Sequence, residues 1–119
     1  MLAREKGISK VKFQERILNE SNSILRTDVS NPHLQFVSFT KAELNDDFSV
    51  CKLGWDTFDK NKRGDIKDAI EGIQGLLRSK LAKILKVRHV PEIKFFYDSQ
   101  FEDELHITNL LEEEKNSSS

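Results

Sequence analysis

The sequence predicts an α+β domain with the element order α-β-β-α-α-β, a mixed three-stranded sheet and helices packed on one face of that sheet. Three observations lead to this prediction. Apolar residues recur at helical spacing in two long stretches, one near the start of the chain and one in its second half. Between them, two strand-forming runs are joined by turn residues, as in a β-hairpin. A last strand-forming run follows Pro91.

The first helix is predicted over residues 10–27. Its apolar residues repeat at the spacing of one helical face, and the small Ser21 lies on that face. These apolar residues are Val11, Ile17, Leu18, Ile24 and Leu25. The segment Ser30-Asn31-Pro32 then ends the helix and turns the chain.

Two strands form the predicted hairpin. The first covers residues 34–44, and the second is FSVCKLGWDTF, residues 48–58. Asn45, Asp46 and Asp47 lie between them and favour Asx-type turns, because their short polar side chains hydrogen-bond the nearby backbone. A polar loop over residues 59–64 follows the hairpin.

A helical pair and a third strand complete the predicted fold. Isoleucine and leucine recur in steps of three and four, which keeps them on one helical face. This apolar stripe consists of Ile66, Ile70, Ile73, Leu77, Leu81 and Ile84. Pro91 stops the helical pattern, and EIKFFYD, residues 92–98, is the third strand. Because a helical crossover leads to this strand, the sheet is expected to be mixed.

The single predicted domain covers residues 10–112. Residues 1–9 are expected to be flexible, and so is the acidic and serine-rich tail 113–119, because both have few apolar groups to bury. The apolar residues of segment 101–111 fit either a short helix or an extended strap.

The sequence contains little that points to an enzyme. Its three histidines, His33, His89 and His106, lie far apart and have no partners at metal-ligand spacing. Cys51 is the single cysteine and is expected to be buried in the second strand. No apolar run approaches the roughly 18 residues of a membrane span. We therefore expect a cytoplasmic monomer with no catalytic residue, metal or cofactor.

Charge is distributed unevenly along the chain. Residues 1–91 contain 17 Lys and Arg against 12 Asp and Glu, a net charge of +5, while residues 92–119 contain 2 against 8, a net charge of −6. This pattern fits either an ordinary solvated surface or a basic body that contacts a polyanion. Five basic residues follow the middle of the helical pair, namely Arg78, Lys80, Lys83, Lys86 and Arg88.

The middle of the helical pair contains Gly72-Ile73-Gln74-Gly75, which has the GXXG form of the loop that clamps nucleotides in KH modules. A clamp loop would expose both middle residues. Here Ile73 belongs to the apolar stripe and is expected to point into the core, which leaves Gln74 to face outward. Glycine within a helix costs about 1 kcal/mol relative to alanine. Two such glycines therefore favour a bend between two helices over a clamp.

Four stretches of the chain resemble the ribosome-binding factor A family. Residues 45–52, NDDFSVCK, are similar to the hairpin of that family, and residues 76–98 are similar to its helix, its Val-Pro-Glu segment and its last strand. The ending ITNLL, residues 107–111, and the Ile24-Leu25 pair before the Asn-Pro turn also fit. Where the family has Ala-x-Gly at its kink, this chain has Ile73-Gln74-Gly75.

This resemblance implies a type II KH domain that binds the immature small ribosomal subunit through its rRNA and supports late rRNA maturation, including in the cold. We expect a basic face to contact rRNA backbone, with shape being recognised more than base sequence. The alternative is a protein-protein adaptor that recruits another assembly or translation factor. The predicted RNA-contacting residues are Lys52, Gly72, Gln74, Gly75, Arg78, Lys80, Lys83, Lys86 and Arg88.

Overall fold

A computed structural model describes residues 9–99 of the chain. The predictions for residues 1–8 and 100–119, including the terminal helix or strap and the tail, lie outside these residues. The elements are helix α1 (Ser9–Thr27), strands β1 (Val37–Leu44) and β2 (Val50–Thr57), helices α2 (Arg63–Gly72) and α3 (Gln74–Leu85), and strand β3 (Glu92–Tyr97). The predicted α-β-β-α-α-β order of a type II KH domain is confirmed.

The sheet is mixed, as predicted, and has the strand order β1-β2-β3. Strands β1 and β2 are antiparallel, because a tight turn joins them, whereas β3 returns through α2 and α3 and pairs parallel to β2. A bulge at Thr40 interrupts the β1–β2 register, since Phe39 pairs with Trp55 while Lys41 pairs with Gly54.

The hydrophobic core lies between the helices and one face of the sheet. It includes Ile66, Ile70, Leu77 and Leu81 of the predicted stripe, and Cys51 is fully buried, as expected. The prediction for Val11 is wrong: its residue surface is 61% exposed, and Phe13 occupies the core at 7% exposure. Phe13 is in phase with Ile17, whereas Val11 lies two residues, or about 200°, away around the helix.

The first strand begins three residues later than predicted. Pro32–Leu34 form a short 3₁₀ turn, and Val37 is the first residue of β1. The turn is capped by Asn31, whose Oδ1 accepts a hydrogen bond from the backbone N of His33 at 2.9 Å. A local side-chain cap thus outweighs the strand propensity of the following residues.

Helix α1 covers the outer edge of β1 with polar side chains. Gln14 Oε1 accepts from the backbone N of Leu44 at 2.8 Å, and Asn22 exchanges two hydrogen bonds with the backbone of Phe39, at 2.9 and 3.0 Å. These contacts satisfy backbone groups that an edge strand would otherwise expose.

The predicted hairpin turn has the expected Asx interactions. Asp47 Oδ1 accepts from the backbone N and the Oγ of Ser49, at 3.1 and 2.6 Å. These hydrogen bonds to Ser49 hold the pKa of the Asp47 carboxyl below its usual value. Phe48 adopts a left-handed φ of 62°, and its buried ring lies 5.9 Å from that of Phe13. The apolar contact with α1 offsets the backbone cost of this conformation.

The predicted bend between the two later helices is confirmed. Helix α2 ends at Gly72, α3 begins at Gln74, and Ile73 between them has φ −95° and ψ 3°. The Ile73 backbone N donates to the carbonyl of Ile70 at 3.1 Å, and its own carbonyl accepts from Leu77 N at 2.8 Å. The Ile73 side chain is half-buried and packs against the core, as the apolar stripe predicts.

Candidate nucleic-acid interface

An open cleft of about 480 Å³ lies between α3 and the segment that connects it to β3. Its α3 side is formed by residues spaced three and four apart, which therefore share one face of the helix. The residues that line the cleft are Gly75, Arg78, Ser79 and Ala82 of α3, and Val87, Arg88, His89 and Val90 of the connecting segment.

Backbone geometry positions the connecting segment against α3. Lys86 follows the last residue of α3 and adopts a left-handed conformation with φ 54° and ψ 37°, which ends the helix. Arg78 Nη2 donates to the carbonyl oxygen of Val90 at 3.2 Å. The buried Pro91 then leads into β3. This arrangement brings Arg88 to the cleft that Arg78 borders from the helix.

Three small residues and two cations are among the residues that line the cleft. Gly75, Ser79 and Ala82 lack bulky side chains, while Arg78 and Arg88 are exposed guanidinium groups. A cleft of this type admits an extended anionic chain closely enough for charge-assisted hydrogen bonds.

Neither glycine at the bend is required by internal packing. A Cβ placed on Gly72 or Gly75 would meet no atom within 4 Å, and neither residue has a left-handed φ. The missing side chains instead leave backbone exposed on the outer side of the bend. Gly75 also lines the cleft, so its exposed backbone can be reached from there.

The other predicted cations lie in three different environments. Lys83 and Lys86 are exposed on the solvent side of α3, and Lys86 precedes the cleft residue Val87. Lys80 lies toward the end of α1, where its Nζ is 3.7 Å from Oδ2 of Asp28. Lys52 lies on β2, exposed on the sheet face opposite the helices.

The expectation that Gln74 faces outward is wrong. Its side chain is half-buried, and its Nε2 donates a hydrogen bond to the backbone carbonyl of Ile93. Gln74 is the first residue of α3 and therefore meets β3 where the helix starts. Its amide links helix and strand, which gives the residue a structural role.

Sequence reasoning missed five of the eight residues that line the cleft, namely Ser79, Ala82, Val87, His89 and Val90. Ala82 shares a helix face with Gly75 and Ser79, and the spacing of small residues at these positions was a usable signal. His89 was considered only as a metal ligand, and its place in the cleft depends on the path of the connecting segment. No local pattern indicated that path.

The aromatic residues of β3 divide between the two faces of the sheet. Phe95 stacks on Phe39 at 6.1 Å, and Tyr97 meets the buried Trp55 edge-on at 5.0 Å. Phe96 lies on the other face, where Lys41 Nζ is 6.0 Å from the centre of its ring. Burial raises the pKa of the Tyr97 hydroxyl.

Within residues 9–99, no cluster of three or more His, Cys, Asp or Glu side chains is arranged to hold a metal ion. In the same part of the chain, none of the helices has the length and apolar character needed to cross a membrane. Burial raises the pKa of the Cys51 thiol to about 12, so this thiol is not an activated nucleophile.

Comparisons with known proteins agree with the fold and with the earlier resemblance. The ribosome-binding factor A family matches residues 9–111. Ribosome-binding factor A from Coprothermobacter proteolyticus is 32% identical over 108 residues, which cover 91% of this chain and 79% of that protein.

A crystal structure and a homology model fitted into a cryo-EM map have a similar fold. The crystal structure of ribosome-binding factor A from Thermus thermophilus has a TM-score of 0.68 at 17% identity, over 74% of this chain and 93% of that one. A homology model of the Thermus thermophilus factor, fitted into a cryo-EM map of a 30S complex, has a TM-score of 0.61 at 16% identity, over 72% and 91%. The chain described here belongs to the ribosome-binding factor A family.

Proposed function

We propose that this protein is a non-enzymatic, cytoplasmic assembly factor that binds the immature small ribosomal subunit and supports late maturation of its rRNA, including at low temperature. The observation that carries the proposal is the cleft beside α3, which is lined by small residues together with Arg78 and Arg88. Membership of the ribosome-binding factor A family supports the same partner, as does the 30S complex of the Thermus factor.

The proposed mechanism is electrostatic docking on rRNA backbone. Arg78 and Arg88 would each contact phosphate oxygens with their planar guanidinium groups, while Lys83 and Lys86 add positive charge along the solvent side of α3. Backbone contacts of this kind fix position and orientation without reading bases.

The start of α3 offers a further phosphate contact at Gly75. The first backbone N–H groups of a helix have no carbonyl partner within the helix and carry partial positive charge. The open space beside Gly75 would let a phosphate approach them directly. The proposed contact set is therefore Gly75, Arg78, Lys83, Lys86 and Arg88, with Gly72 supporting the bend. Lys52 and Lys80 lie off this face, and Gln74 is bonded to β3.

Charge reversal on α3 tests the proposal. In the double variant Lys83→Glu, Lys86→Glu, the affinity for purified immature small subunits should fall at least tenfold. The matched control is Lys41→Glu, Lys94→Glu, which makes the same charge change on the opposite sheet face and should lose much less affinity. Arg78 is kept in both proteins because its bond to Val90 shapes the cleft.

The salt dependence of binding provides a second measurement. If several phosphates are neutralised, the wild-type affinity should fall roughly tenfold or more over a fourfold rise in salt, and the α3 variant should show a shallower slope. Equal losses in the two variants would exclude α3 as the docking face. Failure of the wild-type protein to sediment with immature small subunits would exclude the function itself, and binding that survives nuclease treatment would favour a protein partner.

A further inference from the structure

The face of the sheet opposite the described helices carries exposed side chains that the proposed function does not use. We call it the outer face and define it by Lys41, Glu43, Lys52, Lys94 and Phe96. The strand register places Lys52 between Glu43 of β1 and Lys94 of β3, and the four charged side chains are exposed. The described helices pack against the opposite face, where the core lies.

The outer face contains an apolar groove with a charged border. The groove has a volume of about 380 Å³ and is lined by Glu43, Lys52, Lys94, Phe95 and Phe96. Its shape depends on Gly54, because a Cβ at that position would lie 2.7 Å from Cζ of Phe96. The glycine lets the half-buried Phe96 ring lie close to β2, and Lys41 Nζ is 6.0 Å from the centre of that ring.

Because the groove is apolar and has lysines at its border, it fits a ligand that has both apolar side chains and carboxylates. Segment 100–111 of this chain has that composition. It contains Phe101, Leu105, Ile107, Leu110 and Leu111, together with three acidic residues and no Lys or Arg, a net charge of −3. The five residues that define the outer face include three lysines and one glutamate, a net charge of +2, and the acidic residues Glu92 and Asp98 lie on the same side of β3 before Lys94 and after Phe96.

The chain leaves the sheet directly beside the groove. Asp98 donates its backbone N to the carbonyl of Trp55 at 2.7 Å, and its Oδ2 accepts from Thr40 Oγ1 at 2.6 Å. Asp98 is two residues beyond Phe96 and therefore points to the same face. Lys94 lies four residues before Asp98 along the strand, so the distance between their Cα atoms is roughly 13 Å. A reversal followed by four or five extended residues covers that distance, which segment 100–111 easily supplies.

We propose that segment 100–111 of this chain docks on the outer face, with its apolar side chains against Phe96 and its carboxylates against Lys52 and Lys94. The covalent tether makes the interaction intramolecular, which raises the effective concentration of the segment to the millimolar range. RNA is a poorer occupant, because Glu43 lies within the groove and its carboxylate repels phosphate groups.

A nitroxide label in the segment gives a direct test in the full chain. Asn109→Cys is labelled while Cys51, which is fully buried, stays unmodified. We expect paramagnetic loss of the amide signals of Lys52, Lys94 and Phe96, and no loss for Lys83 on α3. Adding Lys52→Glu with Lys94→Glu should restore the signals. The matched control, Lys62→Glu with Lys67→Glu, should leave the loss in place.

Each of the following results would contradict the proposal. Signal loss spread evenly over the protein, or centred on α3, would show that the segment has no preference for the outer face. Loss that appears only when labelled and unlabelled chains are mixed would assign the groove to a second copy. Shifts of outer-face amides on adding an eight-residue oligouridine, without any label-dependent loss, would assign it to RNA. If charge reversal unfolds the protein, Lys52→Gln with Lys94→Gln must restore the signals instead.

Discussion

The guanidinium of Arg78 and the backbone carbonyl of Val90 are joined by a hydrogen bond of 3.2 Å. This contact ties the middle of α3 to the segment that carries Arg88 and His89. Arg78 therefore has two roles in the proposed interface, since it supplies a positive charge and also holds the opposite wall of the cleft.

Substitution of Arg78 can separate these two roles. Arg78→Lys keeps the charge but loses the planar donor group that reaches Val90, so affinity for small subunits should fall while the salt slope is retained. Arg78→Ala should lose more affinity and reduce the slope by about one. Binding isotherms at several salt concentrations measure both quantities. An Arg78→Ala protein that binds like the wild type would remove Arg78 from the interface.

Two glycines in equivalent helix positions provide a paired prediction. Gly64 and Gly75 are each the second residue of their helix, and a Cβ on either would meet no atom within 4 Å. Alanine at each position should raise the free energy of unfolding by about 0.4–1 kcal/mol, measured by urea denaturation. We expect Gly75→Ala to weaken small-subunit binding, because its methyl group occupies the proposed phosphate position, and Gly64→Ala to bind normally. Equal affinity of the two variants would contradict a close backbone approach at Gly75.

Gln74 should behave as a structural residue. Gln74→Ala removes the hydrogen bond to Ile93 and leaves a part-buried carbonyl without that donor. The free energy of unfolding should therefore fall by about 1 kcal/mol. The affinity for small subunits should remain at the wild-type level under conditions where the variant is folded. The control is Gln35→Ala, at an exposed position, which should change stability by less than about 0.5 kcal/mol. If Gln74→Ala lowered the affinity for small subunits without lowering the free energy of unfolding, Gln74 would be a direct RNA contact.

Burial of Cys51 predicts a specific pH dependence. The pKa of its thiol rises from an ordinary value of 9.0 to about 12 in the folded protein. Because the folded-state pKa is the higher one, this group's contribution to stability is complete below pH 9.0 and is lost as the pH rises toward 12. The free energy of unfolding should decline more steeply above pH 9.0 in the wild type than in Cys51→Ala. At neutral pH, iodoacetamide should modify Cys51 only as fast as the protein opens, and rapid modification of the folded protein would contradict this prediction.

Local sequence patterns predicted most of the fold. The stripe from Ile66 to Leu81 defined the α2–α3 pair, and the side chains of the hairpin turn identified the β1–β2 connection. The two glycines around Ile73 correctly marked the bend. Patterns of this kind are reliable because helical and strand periodicity is a property of neighbouring residues. The error on α1 concerned the phase of the helix, because Phe13 is in phase with Ile17 and faces the core, whereas Val11 faces solvent.

The composition of the site could not be read from the sequence in the same way. The sequence determined the elements, the crossover and the concentration of basic residues after the bend. Only the tertiary structure decided which of these cations share a surface: Arg78 and Arg88 meet across one cleft, Lys80 turns to Asp28, and Lys52 lies on the outer face. The reason is that the position of a side chain relative to another element depends on how helices, strands and connecting segments pack. Side-chain to backbone contacts, such as those of Arg78 with Val90 and Gln74 with Ile93, set that packing across 12 and 19 residues of chain.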